Sequence, residues 1–231
     1  MFMDMREMLL FLTELEANNN RDWFHQNKER YRQATLSFEE LVRCLTLEIG
    51  RFEPGVLAYE PSQLTFRLTR DTRFSHDKSP YLPAFRAHIS AGGKLPVPVG
   101  CYVMIRPGDR SFLGGGLFAD MFADATASLR AAIAQNGDEW ARIVSAPEFS
   151  ELFTLQGAKL KNVPKGFDPA HPQAEYLKYK SWYLEYPVAD AQLCERDFIA
   201  RAARVFERMR PFNAFLNHAL RDFQMPSRPK A

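Results

Sequence analysis

Residues 64–81 read LTFRLTRDTRFSHDKSPY. Over Leu64–Thr69, apolar residues alternate with polar ones, which is typical of a strand with one buried face. A loop with both signs of charge follows at once, and Ser79-Pro80 closes it. We therefore predict that a core strand leads directly into a polar cluster. This cluster is the first candidate for a functional site.

The charged loop has two interpretations. In the first, its aspartates pair with its arginines, and these ion pairs make the loop rigid. In the second, arginine and lysine side chains stay available to bind a phosphate or a carboxylate. Both interpretations stay open at this point, and they concern Arg67, Arg70, Asp71, Arg73, Asp77 and Lys78.

Helical patterns lie on both sides of this stretch. Apolar residues recur at three- and four-residue steps over 5–17 and over 31–52, and again over 120–135, which predicts amphipathic helices. From Asp190 the pattern is helical to the end of the chain, and we expect Pro211 to break or kink this last helix.

Strand patterns fill most of the middle of the chain. Val99–Arg106 and Ser111–Leu117 alternate on either side of Pro107-Gly108-Asp109, which predicts an antiparallel hairpin. Residues 81–90 and 182–188 are further candidate strands. We predict one α+β domain over residues 1–225, a mostly antiparallel sheet flanked by N-terminal and C-terminal helices, with a disordered tail at 226–231.

The second arm of the hairpin contains three consecutive glycines, Gly114, Gly115 and Gly116. Glycines weaken a strand, so a run of them marks a bulge, a tight packing site or a place where a ligand approaches the backbone. The spacing is not that of a dinucleotide-binding loop or a P-loop.

Composition and charge exclude several classes of protein. The chain of 231 residues is 46% hydrophobic and 25% charged, which is ordinary for a globular protein. No apolar run approaches the ~20 residues of a membrane helix, and no secretory leader is visible. We therefore expect a cytoplasmic protein with no membrane partner. The net charge is +2, yet residues 67–94 hold six Lys/Arg against two acids, which indicates a local basic region.

Metal and nucleophile motifs are not found. The three cysteines are scattered, and the five histidines lack the spacing of metal ligands, so we predict no metal, no cofactor and no disulfide framework. The cysteines are interpreted as buried thiols. No residue is predicted to be catalytic, so the sequence leaves open whether the protein is an enzyme.

Five phrases then occur in order along the chain: NNNRDWF from residue 18, RDTRFS from 70, FLGGG from 112, PKGFD from 164 and LKYKS from 177. Together they resemble the bacterial and fungal family catalogued as domain of unknown function 2461, from the first helix to Pro211-Phe212. The resemblance implies an α+β fold and implies no activity. The chain departs from the family pattern at Lys165, where Arg is expected, and at Asp22, where Glu is expected.

The segment PKGFD at 164–168 is either a loop over a pocket or a surface turn that Asp168 caps. In the first case its lysines join the charged loop and the polar side of the strands, and the glycines leave room for a ligand. The ligand-binding residues predicted on this basis are Arg67, Arg70, Asp71, Arg73, Lys78, Tyr102, Gly114, Gly115, Gly116, Lys161, Lys165, Asp168 and Lys180.

Two functions are compatible with these features. The first is a pocket that binds, and in one version also processes, a small anionic ligand such as a nucleotide or a phosphorylated metabolite. The alternative is a non-enzymatic binding module for nucleic acid or a protein partner, of which nucleic acid is the weaker case because the chain is not basic overall.

Overall fold

The computed structural model describes residues 3–226, except residue 74 and residues 120–121. The chain folds into two compact units, each built from three segments. The first unit contains Met1–Lys94, Cys101–Gly114 and Tyr186–Glu207, and the second contains Leu95–Gly100, Gly115–Glu185 and Arg208–Ala231.

Helices come first in the chain, and strands then alternate with further helices. In order, the elements are α1 (Met5–Ala17), α2 (Arg21–Gln26), α3 (Lys28–Ile49), a 3₁₀ helix (Pro54–Ala58), α4 (Pro61–Leu64), β1 (Thr65–Phe66), β2 (Phe85–Ile89), β3 (Cys101–Ile105), β4 (Ser111–Leu117), α5 (Ala123–Gln135), α6 (Gly137–Ser145), α7 (Pro147–Ser150), α8 (Ala174–Leu177), β5 (Trp182–Val188), α9 (Asp190–Leu193) and α10 (Phe198–Ala219).

The strands of the described residues form one antiparallel sheet in the order β1-β2-β3-β4-β5. The predicted α+β class and the β3–β4 hairpin are therefore confirmed. At the hairpin turn, Gly108 and Asp109 have φ values of +79° and +58°. Glycine adopts this left-handed conformation without steric cost, and aspartate tolerates it, which explains why this sequence turns here.

The helix α1 has the bounds that its apolar pattern predicts, and the asparagines after it act through their side chains. Asn19 donates from Nδ2 to the carbonyl of Tyr81 (2.8 Å) and accepts from the Tyr81 amide (3.1 Å). Asn20 caps α2 by accepting from the amide of Trp23 at 2.9 Å. One asparagine therefore starts the next helix, while its neighbour holds the segment that precedes β2.

The core of the first unit lies between α1, α3 and one face of the sheet. The Phe38 ring of α3 stacks on Phe85 of β2, with 5.2 Å between ring centroids. Arg30 of α3 binds Glu7 (2.9 Å) and Glu14 (2.6 Å) of α1. The predicted apolar stripe of α3 is buried against this core, and the ion pairs seal its edge.

In the second unit the core is built around Trp140 of α6, which is fully buried. Its ring lies 5.7 Å from Phe212 and 5.1 Å from Phe215 of α10. Arg130 of α5 donates to the carbonyls of Leu177 (2.9 Å) and Tyr179 (2.8 Å). Burial lowers the pKa of this guanidinium, and its two bonds fasten the chain after α8 to α5.

One predicted strand is much shorter than expected, and a proline does not interrupt the last helix. The strand expected over Leu64–Thr69 is only Thr65–Phe66, because Leu64 ends the helical turn α4; Thr69 returns to form an isolated bridge with Tyr81. Pro211 was expected to break or kink the last helix; α10 runs through it without a break, and the kink stays a prediction. Pro211 is exposed, so its ring replaces no buried contact and the unpaired carbonyl one turn earlier can bind water.

The remaining predictions concern the tail and the cysteines. Of the tail predicted at 226–231, all but Pro226 lies outside the described residues. Cys101 is buried as predicted, whereas Cys44 and Cys194 are only half-buried. None of the helices in the described part of the chain has the length and apolarity needed to span a membrane.

Candidate functional site

One side of the sheet in the first unit carries aromatic and cationic side chains. Residues directly opposite each other on neighbouring strands point to the same side of a sheet, and so do residues two apart on one strand. The register places Arg86 opposite both Phe66 and Met104. It places His88 opposite Tyr102. The ring of Phe112 stacks beside Tyr102. We call this surface the aromatic face; it consists of Phe66, Arg86, His88, Tyr102, Met104 and Phe112.

The aromatic face differs in burial from the side that contacts α3. Its residues are half-buried, apart from His88, which is buried. On the α3 side, the side chains of Phe85, Ala87 and Val103 have at most 2% of their surface exposed. The aromatic face therefore keeps accessible ring surface that the core side does not.

Three rings form a row across the aromatic face. The centroid of Tyr102 lies 6.4 Å from that of Phe66 and 5.8 Å from that of Phe112. These are ordinary distances for interacting aromatic pairs. Burial raises the pKa of the Tyr102 phenol, and the nearby guanidinium of Arg86 offsets part of that rise. The row therefore presents neutral rings at neutral pH.

Arg86 is the half-buried arginine of the aromatic face. In the described residues it makes no ion pair; its Nη2 donates to the carbonyl of Arg67 at 3.3 Å. Its Nε is buried and has no acceptor. The guanidinium lies 5.4 Å from the ring centroid of Phe66. A half-buried cation with an unused donor is costly, so this position favours an anion.

The charged loop after β1 is held together by ion pairs. Arg70 pairs with Asp77, and Arg73 forms a bidentate pair with Asp71, with an Nη2–Oδ2 distance of 2.7 Å. Lys78 donates to the carbonyl of Thr72 at 2.9 Å. The first interpretation of the loop, an ion-pair network, therefore describes these contacts.

The loop carboxylates are strongly stabilised in their charged form. The hydrogen bond from Arg73 lowers the pKa of Asp71 to about 2. Hydrogen bonds from Ser79, followed by the one from Arg70, lower the pKa of Asp77 well below its usual range. Because both carboxylates are already satisfied, Arg70 and Arg73 are less available to a ligand than Arg86.

The residues beside Tyr102 in the structure differ from those that the sequence predicted. Arg67 was expected there, but β1 ends at Phe66, and the register puts Phe66 on the side of Tyr102; Arg67 lies beyond the strand and is exposed. The pairing register and α4 decide which residues face the same way, so Phe66 takes the place beside Tyr102 that we expected for Arg67, and ligand binding by Arg67 stays a prediction.

The glycines of β4 are explained by packing at two positions. A Cβ atom on Gly115 would lie 2.9 Å from Sδ of Met209. A Cβ atom on Gly116 would collide with the carbonyl of Trp182, and this glycine has φ +90°. Gly114 lies in the first unit and is buried. Close approach of protein atoms therefore accounts for Gly115 and Gly116 without a ligand.

The remaining predicted residues belong to the second unit. Asp168 accepts from the amide of Ala170 at 2.8 Å, as the surface-turn interpretation requires. Lys161, Lys165 and Lys180 are exposed. Their convergence with the charged loop stays a prediction from the sequence.

Sequence reasoning missed the central residue of the aromatic face, and it also missed Phe112. The signal for Arg86 was present in β2, which reads FRAHI. A strand that alternates apolar residues with Arg and His has one face that is not part of the apolar core. In the described residues, no group of three or more His, Cys, Asp and Glu side chains is placed to hold a metal ion. Burial holds the pKa of Cys101 far above that of a reactive thiol.

These features define an α+β protein whose antiparallel sheet is packed against a helix on one side and carries an arginine among aromatic rings on the other. The family model described as "Conserved hypothetical protein (DUF2461)" matches residues 7–215, so the chain belongs to that family, as its motifs predicted. Neither a search of the curated proteins nor a search of the solved structures found a match.

Proposed function

We propose that this protein binds a small anionic ligand at the aromatic face, with Arg86 as the residue that binds the negative charge. The observation that carries the proposal is the half-buried guanidinium of Arg86, which forms no ion pair within the described part of the chain and has a buried Nε without an acceptor there. Arginine presents five N–H donors in a planar fork that matches phosphate and carboxylate groups. Its Nη2 donates to the carbonyl of Arg67 and its Nε has no acceptor in the described residues, so an anion would supply the charge partner that the described residues do not.

The surrounding charge supports an anion over a cation. Residues 67–86 contain five Lys/Arg and two Asp, which leaves a local charge of +3 with histidine neutral. Arg67 is joined to Arg86 through the bond to its carbonyl, and the charged loop starts three residues later. A local excess of one charge raises the concentration of oppositely charged ligands and speeds their association. The loop therefore attracts the anion, and Arg86 binds it.

The test compares ligand-induced stabilisation in the wild type and in Arg86→Gln. Thermal unfolding is followed at low ionic strength with inorganic phosphate, pyrophosphate, nucleotides and phosphorylated sugars. A ligand at a hundred times its dissociation constant stabilises the folded state by about 2.7 kcal/mol. We expect at least one of these compounds to raise the unfolding temperature of the wild type, and Arg86→Gln to abolish that rise.

The matched control is Arg32→Gln on α3. Arg32 is also an arginine, but its side chain is 70% exposed and pairs with Glu29, so its loss should leave ligand binding unchanged. Far-UV circular dichroism checks that both variants fold. The proposal is wrong if no compound stabilises the wild type, or if Arg86→Gln and Arg32→Gln respond to the ligand alike.

The alternative function, a binding module without chemistry, is supported by a different observation. A row of aromatic side chains on a sheet is the usual platform for single-stranded nucleic acid, and the Phe66–Tyr102–Phe112 row has this form. A fluorescein-labelled single-stranded oligonucleotide tests it by anisotropy. Tight binding that weakens steeply with salt would favour this alternative over a small ligand.

A further inference from the structure

We infer that the anionic ligand of the aromatic face carries a flat aromatic ring, as a mononucleotide does, and that this ring stacks on the row formed by Phe66, Tyr102 and Phe112. The inference rests on the proposed function and narrows it. It separates nucleotides and aryl phosphates from phosphorylated sugars, which carry the same charge without the ring.

The first argument is the accessibility of the rings. On the core side of the sheet, Phe38 and Phe85 are buried, with 1% and 2% of their surface exposed. Phe66, Tyr102 and Phe112 are half-buried. Cross-strand aromatic pairs do stabilise sheets by themselves, but their remaining surface stays accessible to a further apolar group.

The second argument is the position of the charge relative to the rings. The guanidinium of Arg86 lies 5.4 Å from the centroid of Phe66, and it also offsets part of the rise that burial causes in the pKa of the Tyr102 phenol. Its bond to the carbonyl of Arg67 fixes it beside the row. The cation and the rings are therefore adjacent on one surface, which fits a ligand whose anionic group is close to its ring.

The third argument concerns the kind of ligand that would contact the three rings. An aliphatic ligand would contact the same surface by the hydrophobic effect alone, whereas a ring also gains the stacking interaction that flat aromatic groups prefer. Met104, opposite Arg86 in the register, adds a polarisable sulfur, which contacts aromatic rings favourably. The composition of the aromatic face thus favours an aromatic ligand.

The experiment measures dissociation constants by isothermal titration calorimetry for AMP, ribose 5-phosphate and adenosine. Stacking of a base on an aromatic side chain changes affinity about tenfold or more. We expect AMP to bind at least tenfold more tightly than either ribose 5-phosphate or adenosine, because only AMP supplies both the ring and the phosphate. Saturation transfer from the protein to the purine protons of AMP should be strong.

Two matched variants locate the ring. Phe112→Leu removes a ring from the end of the row while keeping an apolar side chain, and Phe118→Leu does the same to a phenylalanine that is 62% exposed in the second unit. We expect Phe112→Leu to weaken AMP binding about tenfold and to leave ribose 5-phosphate unchanged. Phe118→Leu should change neither. If Phe112→Leu fails to fold, Phe66→Leu replaces it.

The outcomes separate the inference from the proposed function. Equal affinities for AMP and ribose 5-phosphate, with both lost in Arg86→Gln, would overturn the inference and leave the anion site intact. Equal effects of Phe112→Leu and Phe118→Leu on AMP would also overturn it. Binding of neither phosphate compound by the wild type would overturn both. If an adenylate oligonucleotide binds far more tightly than AMP, the ligand of the aromatic face is a nucleic-acid strand and not a mononucleotide, and the inference is overturned.

Discussion

At the scale of single residues, charged pairs in this chain differ in how much solvent surrounds them. Arg73 and Asp71 form the best aligned pair of the charged loop, yet their side chains are 78% and 59% exposed. Exposed pairs are screened by water and salt and contribute little to stability. We therefore expect this pair to lower the pKa of Asp71 and to change the free energy of unfolding very little.

Arg73→Ala should therefore leave the urea midpoint of unfolding unchanged while shifting the titration of Asp71. The pKa of Asp71 is about 2 in the folded wild type, below its ordinary value. The contribution of the pair is thus present above about pH 4 and is lost as the pH falls toward 2. Carboxyl carbon chemical shifts should follow a pKa of about 2 in the wild type and a higher pKa in Arg73→Ala, where the backbone amide of residue 73 still donates to Asp71 and continues to lower its pKa. A large fall in the urea midpoint would show that the pair supports the fold.

A buried polar residue is expected to behave in the opposite way. Asn213 of α10 is 8% exposed; its Oδ1 accepts from the amide of Gly116 at 2.9 Å, and its Nδ2 donates to the carbonyl of Gly100 at 3.2 Å. Asn213→Ala leaves both backbone groups without a partner, at a cost of about 2–4 kcal/mol in the free energy of unfolding. Urea denaturation measures this. His218→Ala, an exposed change on the same helix, is the control and should have little effect.

At the scale of elements, the strand β4 can pack against its neighbours only because Gly116 has no side chain. At Gly116 the neighbouring strand's backbone is so close that Cα of Tyr183 would lie 2.6 Å from an added Cβ. The left-handed φ of +90° adds backbone strain for any other residue. A side chain at position 116 would therefore cause both a steric clash and backbone strain. A comparison with Gly166 separates these two effects.

Gly116→Ala should destabilise the protein by about 3 kcal/mol or more, because the clash adds to the strain. Gly166→Ala is the matched control: Gly166 has φ +96°, but no atom lies within 4 Å of its added Cβ, so only the strain of about 1–2 kcal/mol applies. Both are measured by urea unfolding. Equal losses in the two variants would mean that β5 moves away from Gly116 without cost.

At the scale of the whole molecule, the chain passes repeatedly between its two compact units. It crosses after Lys94, Gly100, Gly114, Glu185 and Glu207, and both β4 and β5 contain a crossing. A unit assembled from three separate segments cannot be cut out as a continuous piece. The single domain expected over 1–225 remains a prediction, and this connectivity supports it.

We therefore expect one cooperative unfolding transition for the full chain. In differential scanning calorimetry, the calorimetric enthalpy should equal the van't Hoff enthalpy, which is the criterion for two-state unfolding. Two resolved transitions would show that the units unfold independently.

The sequence by itself determined the elements whose signals are local. The bounds of α1, the stripe of α3, the β3–β4 hairpin and β5 follow from apolar periodicity and from turn residues such as Gly108. The family also follows from short motifs. Local patterns predict these features because each depends on residues that are close together in the chain.

Only the tertiary structure decided which side chains meet. The register of β1 against β2 placed Phe66, not Arg67, beside Tyr102, because a shift of one residue turns every side chain of a strand to the other face. The pairing of Arg70 and Arg73 with carboxylates of their own loop was one of the two interpretations that the sequence left open, whereas the position of Arg86 among the rings follows from the register. The register depends on residues far apart in sequence, whose approach no local pattern specifies.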